Sequence, residues 1–303
     1  MALDPSSASH AARRPSSAPA LAAAASLAPV ARADWGRVTL VGAGPGDPEL
    51  LTLKAARVLA SASLVLYDHL VSNDVLAHVP ATAQLIYVGK QSRNHTLPQE
   101  GIMELMVRLA QAGQSLVRLK GGDPYIFGRG GEEAEALVAA GIACDTVPGI
   151  SAAQGAAAAM GMPLTHRDHA AMLVFATGHL QGPDGDRTVA LDWAALARPR
   201  QTVVIYMGVG TLPIISAQLI AHGMPPGTPA ALIERATLPE QRRVVGSVQT
   251  LPDLAVQHQI QAPALIVIGA TVALHARIGP DALALHAAAA VAPDTAAAPP
   301  QPA

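Results

Sequence analysis

Aromatic side chains are scarce in this 303-residue chain: two Phe, two Trp and four Tyr, 3% of the residues. Single-stranded nucleic acid is held on successive aromatic platforms, so this composition argues against such a partner. A basic excess is also missing, with 20 Lys plus Arg against 22 Asp plus Glu and a formal net charge of -2. Nothing in that balance advertises nucleic acid, although local basic patches could still meet an anionic ligand. The single cysteine, Cys144, rules out an internal disulfide framework and fits a reducing compartment. It follows Ile142 and Ala143 in an apolar stretch and reads as buried filler rather than as a nucleophile. No apolar run approaches the roughly 20 residues needed to span a bilayer, which argues against a membrane location. The first 34 residues are rich in Ala, Ser, Pro and Arg, but the arginines come after Pro5 and Ser6, not ahead of an apolar core as in a secretory leader. Cytoplasmic location is therefore expected, and the sequon at Asn94 carries no weight there. Residues 286–303 repeat the alanine-proline bias, so segments 1–35 and 281–303 are expected to be disordered tails.

Between the tails, apolar runs alternate with helical stripes. "VTLVGAG" at 38–44 is a strand ending in glycine, and Asp47, Pro48 and Glu49 look like the capped start of a helix carrying Leu50, Leu51, Leu53, Val58 and Leu59. "LVLYD" (64–68), "QLIYVGK" (84–90), "SLVRLKGGDP" (115–124) and "ACDTVPG" (143–149) read as further strands, with helices near 98–112 and 130–141. This alternation implies a mostly parallel sheet. After the alanine-rich "PGISAAQGAAAAMGMP" (148–163), a helix suited to close packing, the rhythm changes. Strands "AMLVFATGH", "TVVIYMGV", "PAALIERA", "RRVVGSV" and "PALIVIGATVAL" follow, the third and fourth as a hairpin. The reading is α/β with two domains, 36–147 on a parallel sheet and 148–280 on a mixed sheet, joined near Val147 to Gly149.

The loop "VGAGPGDPELL" tests two ligand classes. A dinucleotide fingerprint is G-x-G-x-x-G with a small closing residue. Here Gly42 and Gly44 are in place, but Asp47 occupies the closing position and the third glycine comes early, at Gly46. Pro45 removes an N–H from a loop meant to face phosphate, and Asp47 would repel a pyrophosphate. The loop suits a neutral or cationic ligand better, and S-adenosylmethionine, with a sulfonium and no phosphate, is compatible with it. An NAD-dependent oxidoreductase remains the competing reading from another class.

The motifs "VGAGPGDPELLTLKA", "LVLYDHLVS", "YVGK", "RLKGGDPYIFGRGGEEAEAL", "VPGISAAQGAAA", "PLTHRD", "TGH", "YMGV" and "LIERATLPEQRRVVG" occur in this order. From residue 38 to about 275 the chain resembles the tetrapyrrole methylases, in particular their uroporphyrinogen-III C-methyltransferase branch. The tails do not match, and no dehydrogenase domain precedes the motifs, so a stand-alone methyltransferase is expected. The resemblance implies two α/β domains with an active-site cleft between them, a homodimer, S-adenosylmethionine as methyl donor and no metal. It implies methylation of uroporphyrinogen III at C2 and C7, through precorrin-1, to precorrin-2, toward sirohaem or cobalamin. Later precorrin methyltransferases are the nearest alternative.

The same resemblance implies roles for individual residues. Asp68 matches the family's proton acceptor and Lys90 its proton donor. Donor contacts carry over to Pro45, Gly121, Gly122, Asp123, Ile126, Ser151, Ala152, Met207, Ala236 and Ala264. Ser151 keeps the hydroxyl of the family's threonine, while Ala236 stands where glycine is usual. Met207 alone would read equally well as core filler. A polycarboxylate substrate needs cations, for which Arg129, Arg167 and His166 are the first candidates, followed by Arg93, His95, His169 and Arg235. His166 and His169 lack a third partner at metal-ligand spacing.

Overall fold

The structure, a computed structural model, describes residues 26–89, 97–180, 188–280 and 282. The outer parts of both tails, the segment 90–96 with Lys90, Arg93 and His95, and the glycine-rich loop 181–187 lie outside the described residues. Residues from Val30, placed by composition in the tail, already meet the body: the Val30 N–H donates to the Gln111 carbonyl (2.8 Å) and Trp35 packs on the first core.

Among the described residues, ten strands form two sheets. The first half carries β1 (Val38–Gly42), α1 (Leu53–Ala60), β2 (Leu64–Tyr67), α2 (Asn73–Leu76), β3 (Gln84–Tyr87), α3 (Gln99–Gln111), β4 (Leu116–Lys120), α4 (Gly130–Ala139) and β5 (Cys144–Val147). Then come α5 (Ala152–Met160), β6 (Met172–Thr177), α6 (Trp193–Leu196), β7 (Gln201–Tyr206) and α7 (Leu212–Ala221). The chain continues with β8 (Pro229–Glu234), β9 (Arg242–Ser247), α8 (Leu251–Gln257), β10 (Ala264–Ile268) and α9 (His275–Ile278).

The first sheet has the order β3-β2-β4-β1-β5 with every pairing parallel. The second has the order β6-β7-β10-β8-β9, with β6 and β7 parallel and the other neighbours antiparallel. The expected parallel and mixed sheets are both present. A parallel sheet must be covered on both faces, and alternate residues divide accordingly. Leu40, Leu66, Ile86 and Leu116 pack toward α3 and α4, while Val41, Val65, Val117 and Leu119 pack toward α1 and α2. Each fully buried Leu, Ile or Val side chain contributes about 1.5–3 kcal/mol.

Two local expectations need correction. Asp47 caps only a short 3-10 turn, Pro48–Leu50, its Oδ1 accepting from the Glu49 N–H (2.9 Å). The helix proper restarts two residues later under Thr52, whose hydroxyl accepts from the Ala55 N–H (3.1 Å). Leu53 thereby becomes the first helical residue and points to solvent, 85% exposed, while Ala55 and Leu59 are buried. Cys144 is half-buried rather than buried, because β5 is an edge strand. Its thiol is pushed up by burial and by Asp145, the opposite of what a nucleophile needs.

Candidate active site

In open parallel sheets, ligands collect beyond the carboxyl ends of strands where successive connections diverge. Here that point lies between β1 and β4: the chain leaves β1 toward β2 on one side and leaves β4 toward β5 on the other. The two following loops are stitched together there. The Gly44 N–H donates to the Gly122 carbonyl (3.2 Å) and the Gly122 N–H to the Gly44 carbonyl (2.7 Å). Pro45 and the Gly121-Gly122-Asp123 turn therefore share one rim. Asp123 does not simply face solvent: its carboxylate accepts from the Tyr125 N–H (2.8 Å) and the Gly149 N–H (3.0 Å). It thus pins the β4 turn to the start of the second half. A carboxylate has further lone pairs, so these two bonds leave acceptor capacity for a ligand.

The second sheet meets this rim through α5. Helix α5 lays Ala153, Ala156 and Met160 on Val204, Ala231, Ile233 and Val267. Its first turn is fixed by a capping box between Ser151 and Gln154 and by the Ala153 N–H donating to the Tyr206 hydroxyl (3.1 Å). Burial pushes the Tyr206 phenol up, so it stays neutral at pH 7. Phe127, on the loop after Asp123, brings its ring to 4.9 Å from that of Tyr206. Met207 follows directly, at φ +55° and 53% exposed, so it is not core filler. Because Ile266 pairs antiparallel with Ile205, extending the register sets Met207 opposite Ala264. The Arg235 N–H donates to the Pro263 carbonyl (3.0 Å), which brings Ala236 to the same end of the sheet. Pro45, Gly121, Gly122 and Asp123 thus share the rim at the carboxyl ends of β1 and β4, with Ser151 and Ala152 opening α5 beside Gly122, while Met207, Ala236 and Ala264 gather at one end of the second sheet.

Asp68 sits at the end of β2, next to Gly121, where an added Cβ would lie 2.7 Å from Leu70 Cβ. One carboxylate oxygen accepts from the Leu70 N–H (3.1 Å), the other pairs with an Arg118 terminal nitrogen (3.2 Å). Behind that pair lies a network absent from the sequence reading. Glu133, with no exposed surface, accepts on Oε1 from Arg118 Nε (3.2 Å), Lys120 Nζ (2.9 Å) and Gln99 Nε2 (3.0 Å). Its Oε2 is buried with no hydrogen-bond partner among the described residues. Burial, then the neighbouring Arg118, lowers the Lys120 ammonium, against the pull of Glu133. The available signal was "LVRLK", two cations at period two inside a strand that also carries buried apolar residues, followed by "GGEE".

The expected substrate cations are not all brought to the cleft. Arg129 caps α4 at φ +59° and grips Glu132 through Nε and a terminal nitrogen, the shortest contact being 2.6 Å. His166, Arg167 and His169 lie before β6, where Arg200 donates to the Arg167 carbonyl (3.1 Å). That is the opposite end of β6 and β7 from Met207, which lies seven residues beyond Arg200, roughly 23 Å away at about 3.3 Å per residue. The His166 and His169 rings lie 4.8 Å apart. Among the described residues no cluster of three or more His, Cys, Asp or Glu side chains could hold a metal ion, and no helix is long and apolar enough to cross a membrane.

The cleft chemistry fits a sulfonium donor better than a dinucleotide. Asp47, Asp68 and Asp123 stand around it, and Arg118 and Lys120 are committed to carboxylates. Pro45 supplies an apolar surface in place of a phosphate-binding N–H.

Comparison with known proteins agrees with this fold. The family described as Tetrapyrrole (Corrin/Porphyrin) Methylases matches residues 37–252. A siroheme synthase from Thioalkalivibrio sulfidiphilus is 52% identical over 243 residues, 80% of this chain and 49% of the relative. The chain therefore spans about half the length of the curated relatives it matches. Among solved structures, uroporphyrin-III C-methyl transferase from Thermus thermophilus complexed with S-adenyl homocysteine aligns at a TM-score of 0.66 and 41% identity. That alignment covers 78% of this chain and 93% of the other. A cobalt precorrin-4 methyltransferase aligns at a TM-score of 0.69 and 27% identity, covering 80% of this chain and 98% of the other.

Proposed function

The chain belongs to the tetrapyrrole (corrin/porphyrin) methylases, and on that premise we propose that it transfers methyl groups from S-adenosylmethionine to C2 and then C7 of uroporphyrinogen III, through precorrin-1, to precorrin-2. The observation that carries this reading is the Gly44–Gly122 stitch at the divergence of β1 and β4, with Asp68 beside it and the Ser151–Met207 side facing it. The higher identity to the uroporphyrin-III enzyme than to the precorrin-4 enzyme favours the early substrate over a later one.

Bound in the cleft, the donor would supply an electrophilic methyl. A ring carbon of the reduced pyrrole forms the new C–C bond as the S–CH3 bond breaks, and the ring system then loses a proton. Asp68 is the proposed acceptor of that proton, its carboxylate aimed by Leu70 N–H and Arg118. Lys90, outside the described residues, is the proposed proton donor. Holding the reactants in a cleft closed by both sheets supplies most of the rate. Arg129, released from Glu132, is the proposed partner of a substrate carboxylate; His166 and Arg167 lie before β6, at the far end of that sheet from Met207. The proposal extends to domains 36–147 and 148–280, a homodimer and a cytoplasmic location.

Calorimetry separates this reading from the oxidoreductase one. S-adenosylhomocysteine is expected to bind in the micromolar range and NAD not at all; the reverse order sinks the proposal.

A further inference from the structure

Thr237 holds a left-handed backbone, φ +67°, which a β-branched residue rarely adopts. Such strain persists only where surrounding contacts over-determine it, and it concentrates at ligand clamps. The contacts are identifiable. The Thr237 N–H donates to Gln241 Oε1 (2.8 Å), and Gln241 Nε2 donates in turn to Met160 Sδ (3.3 Å) on α5. The Thr237 hydroxyl oxygen accepts from the Asp47 N–H (3.2 Å), across the cleft. Its methyl lies beside Gly155 of α5, where an added Cβ would come 2.4 Å from Pro45 Cγ and 3.3 Å from Thr237 Cγ2. The Pro45 ring therefore rests directly on the α5 backbone, with the Thr237 methyl at its side. Leu238, the next residue, fills the space over Gly46. On the first-sheet side the same loop is held by the Gly122 stitch and by the Ser72 hydroxyl donating to the Gly46 carbonyl (2.7 Å).

We propose that Thr237 is a positioning residue for the methyl donor: it locks the Pro45-Gly46-Asp47 loop of the first sheet onto α5 and so fixes the width and floor of the donor cleft. This rests on the donor reading above. Neither Thr237 nor Gly155 need touch the donor; each acts through Pro45, which forms part of its wall. A hydroxyl in this place gives the Asp47 amide an acceptor, and a left-handed backbone aims that hydroxyl back across the cleft.

The test compares Thr237→Val, Thr237→Ser and Gly155→Ala with the parent protein. S-adenosylhomocysteine affinity is read by calorimetry, KM for S-adenosylmethionine and kcat by methyl transfer, and folding by the ligand-free melting temperature. Loss of one neutral hydrogen bond that orders a ligand wall weakens affinity by about five- to tenfold. T237V is expected to show that loss, with KM rising in step, kcat within about twofold and the ligand-free melt little changed, while G155A, which pushes Pro45 off α5, is expected to weaken binding and to lower the melt as well. T237S, which keeps the acceptor, is expected to bind as the parent does. Parent-like affinity in T237V overturns the proposal, as does a T237S variant as weak as T237V. A fall in the ligand-free melt that accounts for the whole affinity loss makes Thr237 merely structural and also overturns it. Failure of the parent protein itself to bind S-adenosylhomocysteine overturns the donor reading first and this inference with it.

Discussion

Asp68, the proposed proton acceptor, owes its orientation to residues that are far apart in sequence. Arg118 reaches it from the neighbouring strand, and Glu133 on α4 holds Arg118 from behind. Replacing Asp68 by Asn keeps the shape and the Leu70 contact but removes the proton acceptor. Methyl transfer is then expected to fall about 10²- to 10⁴-fold, with S-adenosylhomocysteine affinity unchanged within about twofold. Rate measurements beside calorimetry check both halves; an active Asp68→Asn variant removes Asp68 from the chemistry. Asp68 itself was legible in the sequence, because a carboxylate ending an apolar strand stands at the ligand edge of a parallel sheet. Its support was not. Arg118 and Lys120 alternate with apolar residues, a pattern that equally describes a half-solvated strand. Only the placement of β4 in the middle of the sheet, covered on both faces, makes them buried and forces a carboxylate to meet them. The histidine and arginine of "PLTHRD" show the converse. Their residue types suit a polycarboxylate, and chain direction sets them before β6, at the far end of the second sheet from Met207.

At the scale of elements, the cleft depends on loops brought within backbone contact. Gly149 follows β5, and a Cβ there would lie 2.2 Å from the Gly122 carbonyl oxygen and 2.9 Å from Gly42 Cα. No side-chain rotation relieves a clash with backbone. Gly149→Ala is expected to cost about 1–3 kcal/mol of stability and, by displacing Gly122 from Gly44, to weaken donor binding as well. Urea unfolding with and without S-adenosylhomocysteine measures the two effects, and a variant matching the parent in both contradicts the account of the stitch. Strand positions were readable because apolar runs ending in Gly, Asp or Pro marked them. Helix starts were read less well: Asp47-Pro48-Glu49 and Thr52 each carry capping chemistry, and the local pattern does not say which begins the longer helix. Helix α5 was expected to pack closely, and its partners are now identified as the second sheet beneath and Pro45 above.

Across the whole molecule, two sheets of different strand direction meet through α5, and the residues proposed for the methyl donor are distributed over both. Fold class was accessible from motif order, and the loop glycines marked a close backbone approach, as at Gly44 and Gly122. The substrate side was not, since balanced net charge conceals which cations are already paired, as Arg129 is with Glu132. The central claim concerns what leaves the cleft. Protein incubated anaerobically with uroporphyrinogen III and isotopically labelled S-adenosylmethionine is expected to yield a tetrapyrrole heavier by two labelled methyl groups, after a transient singly methylated species. A tetrapyrrole recovered without label, or one methylated only when a later precorrin is supplied, would contradict the account.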